Sequence, residues 1–157
     1  MNEVEPERVD ARTYNAFLRR VDLVSVVLTG AEVVASGARP NARSTKVQLG
    51  VDTALDRHDE RSFTAITTIT ASFEQADEPL GSVTARFRLT YHSAEPITDA
   101  IWREFGQRNV RANAWPYARE FIQSMTQRMG WPSFVLPVST SPKLRPPRAR
   151  PAPRTKT

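Results

Sequence analysis

The sequence contains no cysteine, so it has no disulfide, no thiolate metal ligand and no cysteine nucleophile. Its two histidines, His58 and His92, belong to no ligand-spaced cluster, and it lacks a glycine-rich phosphate loop and a nucleophile elbow. No apolar run approaches the roughly 20 residues of a membrane span, and the acidic start MNEVEPERVD lacks the apolar core of a signal peptide. We therefore expect a soluble, cytoplasmic protein without a metal or cofactor site.

One acidic segment could supply the paired carboxylates of an acid–base catalyst. Asp56, Asp59 and Glu60 lie within DRHDER, residues 56–61. Charged segments of this kind are more often solvated loops, and no other pattern argues for a reaction. We interpret the segment as a connection between strands and predict that the protein is not an enzyme.

The net charge of +5 is carried by the end of the chain. Residues 139–157 contain six of the 22 basic residues, five of the twelve prolines and no acid, which leaves 16 basic against 17 acidic residues in 1–138. Such a basic, proline-rich segment cannot bury apolar surface, and we expect it to be a disordered tail. The tail could also neutralise phosphates, so nucleic-acid binding is an alternative function, although the tail offers no aromatic residue for stacking.

The hydrophobic pattern predicts one α+β domain over residues 9–138, after a disordered segment 1–8. Residues 23–34 are rich in Val and Leu, and in three later segments apolar residues alternate with polar ones, as in half-buried antiparallel strands. Three helical patterns flank them. The predicted elements are a helix at 10–20, strands at 23–34, 46–55, 63–73 and 83–91, a short helix at 98–105 that Gly106 ends, and a long helix that Asn113 caps.

The long helix carries the most specific motif of the chain, WPYARE, residues 115–120. Pro116 suits a first turn, Gly130 suits the residue after the helix, and Pro132 prevents its continuation. The segment after the helix, WPSFVLPV, combines bulky apolar residues with two prolines. An apolar stripe runs along the helix at Ala114, Ala118, Phe121, Ile122, Met125 and Met129.

This helix motif, together with four preceding strands, resembles the SecB family of export chaperones over residues 23–138. The resemblance implies a four-stranded antiparallel sheet with the long helix packed on it. It also implies an ATP-independent holdase that binds unfolded polypeptides and is linked to protein export.

A holdase needs exposed apolar surface beside mobile loops. In SecB-like proteins the loop between the first two strands and the segment after the long helix border the client groove. At each candidate position the alternative is a side chain that simply covers the core. The candidate client-binding residues are Val33, Val34, Leu49, Trp131, Phe134 and Leu136.

The resemblance further implies a homotetramer, a dimer of dimers in which the long helices pack between the two sheets. Tyr117, Phe121, Met125 and Met129 are then the candidate interface residues. The alternative is that this stripe packs on its own sheet, and both arrangements can hold for one helix.

Two departures from typical SecB chaperones concern the partner. Residues 24–30 and 80–83 lack the carboxylates that SecB offers to the SecA motor, so we expect no SecA docking through such a surface. Some SecB-like chaperones instead serve the antitoxin of a toxin–antitoxin system and carry a helix before the first strand. The segment 10–20 fits that variant, which gives a dedicated antitoxin chaperone as the alternative function.

Overall fold

The computed structural model of the chain describes residues 8–137, and for Arg57 the backbone. It confirms the predicted α+β architecture: a four-stranded antiparallel sheet, a short N-terminal helix and a long C-terminal helix packed on the sheet. The strand order is β1-β4-β3-β2, so β1 and β2 form the two edges. Apart from Arg8, the predicted terminal segments 1–8 and 139–157 lie outside the described residues. The elements are α1 (Ala11–Leu18), β1 (Val21–Ala35), β2 (Lys46–Arg57), β3 (Ser62–Gln75), β4 (Glu78–Ser93) and α2 (Asp99–Arg128).

The central strands β3 and β4 bury every second side chain against α2, as their alternation predicts. Two polar residues, Thr67 of β3 and Ser93 of β4, are buried among these apolar side chains, and Thr67 lies in the middle of its strand. It is fully buried, and its Oγ1 lies 3.2 Å from Oγ1 of Thr53 on β2. The pair satisfies two hydroxyls that burial would otherwise leave without partners.

Two connections are shorter than predicted. Asp56 and Arg57 belong to β2, so the β2–β3 connection begins at His58. The β3–β4 hairpin turns through two residues, Ala76 and Asp77, whose φ angles of 52° and 60° match a type I′ turn. Glu78 is therefore the first residue of β4, not part of a loop.

The predicted short helix and capped long helix are one continuous helix of 30 residues, so this prediction was wrong. Thr98 caps it as predicted, with its side chain accepting from the Ile101 N–H. Gly106 does not end a helix. A Cβ at this position would lie 2.4 Å from Cδ1 of Leu55, so the glycine lets α2 approach β2 closely.

Asn113 and Pro116 likewise lie inside α2. The Asn113 side chain donates a hydrogen bond of 3.0 Å to the Tyr91 hydroxyl instead of capping a helix end. Pro116 is exposed, so the carbonyl that its missing N–H leaves without a helical partner lies on the solvent side. Both residues have local preferences for helix ends that packing overrides.

Helix α1 closes one end of the core. Asp10 caps it by accepting from the N–H groups of Arg12 and Thr13. The hydrogen bond from the Thr13 hydroxyl, together with these backbone bonds, lowers the pKa of Asp10. Phe17 packs edge-on against Phe105 of α2 at 5.6 Å between ring centroids. The predicted helix at 10–20 is confirmed, with observed bounds of Ala11–Leu18.

Candidate functional site

The segment after α2, residues 131–137, is hereafter the exit segment, and it folds back onto the helix. Gly130 takes a φ of 71° at the turn, as predicted for the residue after the helix. The Phe134 N–H donates to Oγ1 of Thr126, and Nε1 of Trp115 donates to the Pro137 carbonyl at 2.7 Å. These bonds fix the exit segment beside β3 without making it a strand.

The exit segment places two aromatic rings around Phe73 of β3. Trp131 and Phe134 each pack edge-on against Phe73, at centroid distances of 5.2 and 5.3 Å. The Trp131 ring also reaches β4, since a Cβ on Gly81 would lie 3.1 Å from its Cη2 and 2.1 Å from the Val34 carbonyl oxygen. The glycine thus permits β1, β4 and the exit segment to meet at one end of the sheet.

An apolar cavity of about 120 Å³ opens at this end, between the exit segment and the start of β2. We call it the exit pocket. It has room for one apolar side chain, because a fully buried residue of medium size displaces a similar volume. Its lining residues are Pro40, Ala42, Thr45, Val47, Phe73, Trp131, Pro132, Ser133 and Phe134.

The structure places two of the six candidate client-binding residues, Phe134 and Leu49, at or beside this pocket. Phe134 lines it and is half-buried. Leu49 lies two residues along β2 from Val47 on the same face and is 39% exposed. Val33 and Val34 are exposed at the end of β1, the opposite edge of the sheet from β2, and neither lines the pocket.

The other two candidates are more buried than the two prolines of the exit segment led us to expect. Trp131 is 8% exposed and forms a wall of the exit pocket, while Leu136 is 1% exposed and belongs to the core. The Trp115–Pro137 hydrogen bond and the Phe73 ring supply the contacts that bury them. Sequence reasoning missed the opposite wall, Pro40 to Val47, because the turn-rich pattern there gave no sign of which side chains would face inward.

Three of the four candidate interface residues lie along the second half of α2, and the fourth, Met129, is its C-cap. Tyr117 is 47% exposed and contacts Phe87 of β4, with ring centroids 6.2 Å apart. Phe121, Met125 and Met129 are partly buried against the core of the same chain. These four residues therefore pack on the chain's own sheet and still leave part of their apolar surface exposed.

Strand β1 carries exposed apolar residues on both faces, a feature that sequence reasoning did not single out. α2 packs chiefly on β2, β3 and β4. Register shifts after Leu23 and Leu28 keep Leu28 and Val33 on the helix side, opposite Phe87 and Val83. The exposed large apolar residues of β1 are Leu23, Val24, Val27, Leu28, Val33 and Val34.

The acidic segment weighed for catalysis has a structural role. Asp59 accepts from the N–H groups of Arg61 and Ser62 at 2.7 and 2.8 Å, and these bonds lower the pKa of its carboxyl. This is the usual behaviour of an aspartate that stabilises a turn. Within residues 8–137, no group of three or more His, Asp or Glu side chains is placed to hold a metal ion.

The helices of residues 8–137 include none that is long and apolar enough to cross a membrane.

No protein-family model matches the chain, and no curated protein gives a significant sequence match. A solved structure of the SecB-like chaperone Rv1957 of Mycobacterium tuberculosis, in complex with a ChAD peptide from the HigA1 antitoxin, matches in fold with a TM-score of 0.71. Its sequence is 17% identical, and the match covers 83% of this chain and 99% of that one. A Streptococcus agalactiae protein of unknown function matches with a TM-score of 0.48 and 11% identity over 74% of this chain and 96% of that one. The resemblance predicted from the helix motif is thereby confirmed: this chain has the fold of a SecB-like chaperone.

Proposed function

We propose that the protein is an ATP-independent chaperone that holds non-native polypeptides along β2 and in the exit pocket, without catalysis. The observation that carries the proposal is the exit pocket itself, an apolar cavity beside the exposed Leu49. Surfaces of this kind bind apolar side chains with little discrimination between them, which is what an unfolded client requires. We place this activity in the cytoplasm.

The candidate residues divide into three roles in this proposal. Phe134 and Leu49 contact the client, because their side chains are accessible at or beside the exit pocket. Val33 and Val34 lie on β1, at the other edge of the sheet, and belong to the assembly surface. Trp131 and Leu136 are buried, so they hold the exit segment in place. Several such sites in one assembly would bind a single extended chain at the same time, so that weak contacts together give tight binding.

The proposed assembly is a homotetramer built as a dimer of dimers. A long edge strand with apolar residues on both faces is an aggregation hazard unless another chain covers it. β1 is such a strand, with 15 residues and six exposed large apolar side chains. We assign one contact to β1 and the other to the α2 surface at Tyr117, Phe121, Met125 and Met129.

A dedicated antitoxin chaperone is the second candidate function. It is favoured by the match in fold to a SecB-like chaperone whose structure contains an antitoxin peptide. Helix α1, which precedes the first strand, agrees with this variant. In this case the same exit pocket would receive one particular segment instead of many.

The test is the aggregation of a chemically denatured model protein, followed by light scattering without ATP. We expect the full chain to suppress aggregation at near-stoichiometric amounts. A chain that leaves scattering unchanged contradicts the general chaperone and leaves the dedicated one. The nucleic-acid alternative is tested by deleting residues 139–157. If the shortened chain loses salt-dependent DNA binding but still suppresses aggregation, DNA binding belongs to the tail alone.

The exit pocket has a matched pair of variants. Phe134→Ser removes a lining ring, whereas Val135→Ser changes its exposed neighbour, which does not line the pocket. We expect Phe134→Ser to weaken client binding about tenfold, the loss of one buried apolar side chain, and Val135→Ser to leave it unchanged. Fluorescence titration with an unfolded client measures both, and equal affinities for the two variants would remove Phe134 from the site.

A further inference from the structure

A second cavity lies along the same strand as the exit pocket. It measures about 410 Å³ and is bounded by the helix-side face of β2 and the first part of α2, where Gly106 brings the two elements together. We call it the arginine pocket. Its lining residues are Val51, Thr53, Leu55, Arg103, Gly106, Gln107 and Arg111.

The arginine pocket is positively charged. Arg103 and Arg111 lie two helical turns apart on α2, and the described residues that line the cavity include no carboxylate. Arg103 is exposed, so its guanidinium can move to meet a ligand. The apolar wall of Val51 and Leu55 lowers the local dielectric and strengthens attraction for an anion.

Arg111 offers a donor that the chain itself does not use. Its guanidinium lies 5.8 Å from the centre of the Trp115 ring, and its Nε is buried without a hydrogen-bond partner among residues 8–137. A buried donor without an acceptor is costly, and a carboxylate is the acceptor that fits a guanidinium best.

The two pockets occupy successive stretches of one strand. Val47 lines the exit pocket, and Thr53 lines the arginine pocket. Leu49 lies between them on the same face and is exposed. Six residues of extended chain span about 20 Å, so one extended segment along β2 can occupy both cavities.

We propose that the client segment is bipartite, with an apolar side chain in the exit pocket and a carboxylate side chain about six residues away in the arginine pocket. The inference rests on the proposed function and names the client's chemistry. The apolar side chain supplies most of the burial, while the carboxylate sets the register of the segment on β2. Other exposed arginines, such as Arg86 and Arg88, lie on the helix-free face of the sheet and cannot take this role.

The test uses fluorescein-labelled synthetic peptides of about 15 residues, long enough to span both pockets, and the full-length protein. Each peptide has a central Leu-Trp pair and, six residues to either side, glutamate in one peptide and glutamine in its twin. We expect the glutamate peptide to bind about tenfold more tightly in anisotropy titrations at low salt. Added salt should reduce that preference.

Three variants decide where the preference arises. Arg103→Gln combined with Arg111→Gln should remove it, and Arg103→Glu, which changes an exposed side chain, should do so without disturbing the Trp115 contact. Arg88→Gln is the control for the loss of one positive charge and should retain the preference.

Equal binding of the twin peptides to the wild-type chain overturns the inference, as does a preference that survives in both Arg103 variants. If neither peptide binds, the inference also fails. The chaperone proposal is judged separately by aggregation suppression, and binding of both twins without preference would leave that proposal standing.

Discussion

The two edge strands of the sheet differ in what covers them. β1 exposes large apolar residues on both faces: Leu28 and Val33 on the helix side, Val27 and Val34 on the other, where Asp22 and Glu32 also lie. β2 is apolar on its helix side alone, and its other face carries Gln48, Asp52 and Asp56. An edge with exposed apolar residues on both faces needs a neighbour on each, whereas β2 needs one on its helix side only.

From this difference we infer that the two edges have different functions. Along β2, α2 and the exit segment supply part of the cover and leave two cavities that can hold side chains. Along β1 there is a continuous apolar surface instead, which suits a second copy of the chain better than a variable client. On this view β1 assembles the protein and β2 binds the client.

The largest effect is expected from charges placed on β1. Val27→Lys combined with Leu28→Lys puts a positive charge on each face of the edge, and two copies brought together there would repel. We expect assembly to weaken by about a thousandfold, the several kcal/mol that facing like charges cost. Light scattering coupled to size-exclusion chromatography measures the mass, with Val135→Lys as the exposed control; an unchanged mass would rule out assembly through β1.

A smaller loss of assembly should follow from changes on α2. Phe121→Arg combined with Met125→Arg places two charges on the second proposed contact while β1 stays intact, so we expect particles of half the native mass. Far-ultraviolet circular dichroism checks that the variant is folded, because both side chains also pack on the chain's own core. A folded variant with its native mass would show that these residues pack internally only.

Gly106→Val should act on the β2 side of the molecule and leave β1 unaffected. Its branched side chain meets Leu55 and pushes α2 away from β2. We expect the free energy of unfolding to fall by about 1–3 kcal/mol, as in other overpacked cores. Gly50→Val is the matched control on β2, since a Cβ there meets no atom within 4 Å; equal urea midpoints for the two variants would contradict the close contact.

Alkaline pH should loosen the end of the sheet where β4 pairs with β1. Burial raises the pKa of Tyr91 to about 12, against about 10 in an unfolded chain. The contribution of the protonated hydroxyl is complete below about pH 10 and is lost toward pH 12, because there the unfolded state alone releases the proton. We expect the free energy of unfolding, measured in urea titrations, to fall by about 1–2 kcal/mol over this pH range. This is less than the full pKa difference implies, because solvent screens part of the effect. Tyr91→Phe should show a smaller fall, and an identical pH dependence would mean that this hydroxyl does not contribute.

The sheet could be predicted from sequence because alternation has a direct physical cause in the pleat of β3 and β4. The course of α2 could not. Gly106, Asn113 and Pro116 each favour a helix end locally, and contacts with Leu55 and Tyr91, distant in sequence, decide otherwise. Propensity was therefore a poor guide where long-range packing was strongest.

The candidate site was predicted in part for a similar reason. Bulky apolar residues next to two prolines indicated that the exit segment was not an ordinary strand, and Phe134 does line the exit pocket. The same reasoning could not foresee that Trp131 and Leu136 would be buried, because burial depends on Phe73 and on the Trp115–Pro137 hydrogen bond. Arg103 and Arg111 are eight residues apart on a helix, and only the approach of β2 joins them in one cavity.

The most direct test of the division between the edges is hydrogen–deuterium exchange on the full-length protein, with and without a permanently unfolded client. The account predicts that residues 40–55 and 131–137 gain protection when the client binds. It also predicts that β1 amides are protected before the client is added and do not change. Protection gained along β1 alone, with β2 and the exit segment unchanged, would contradict it.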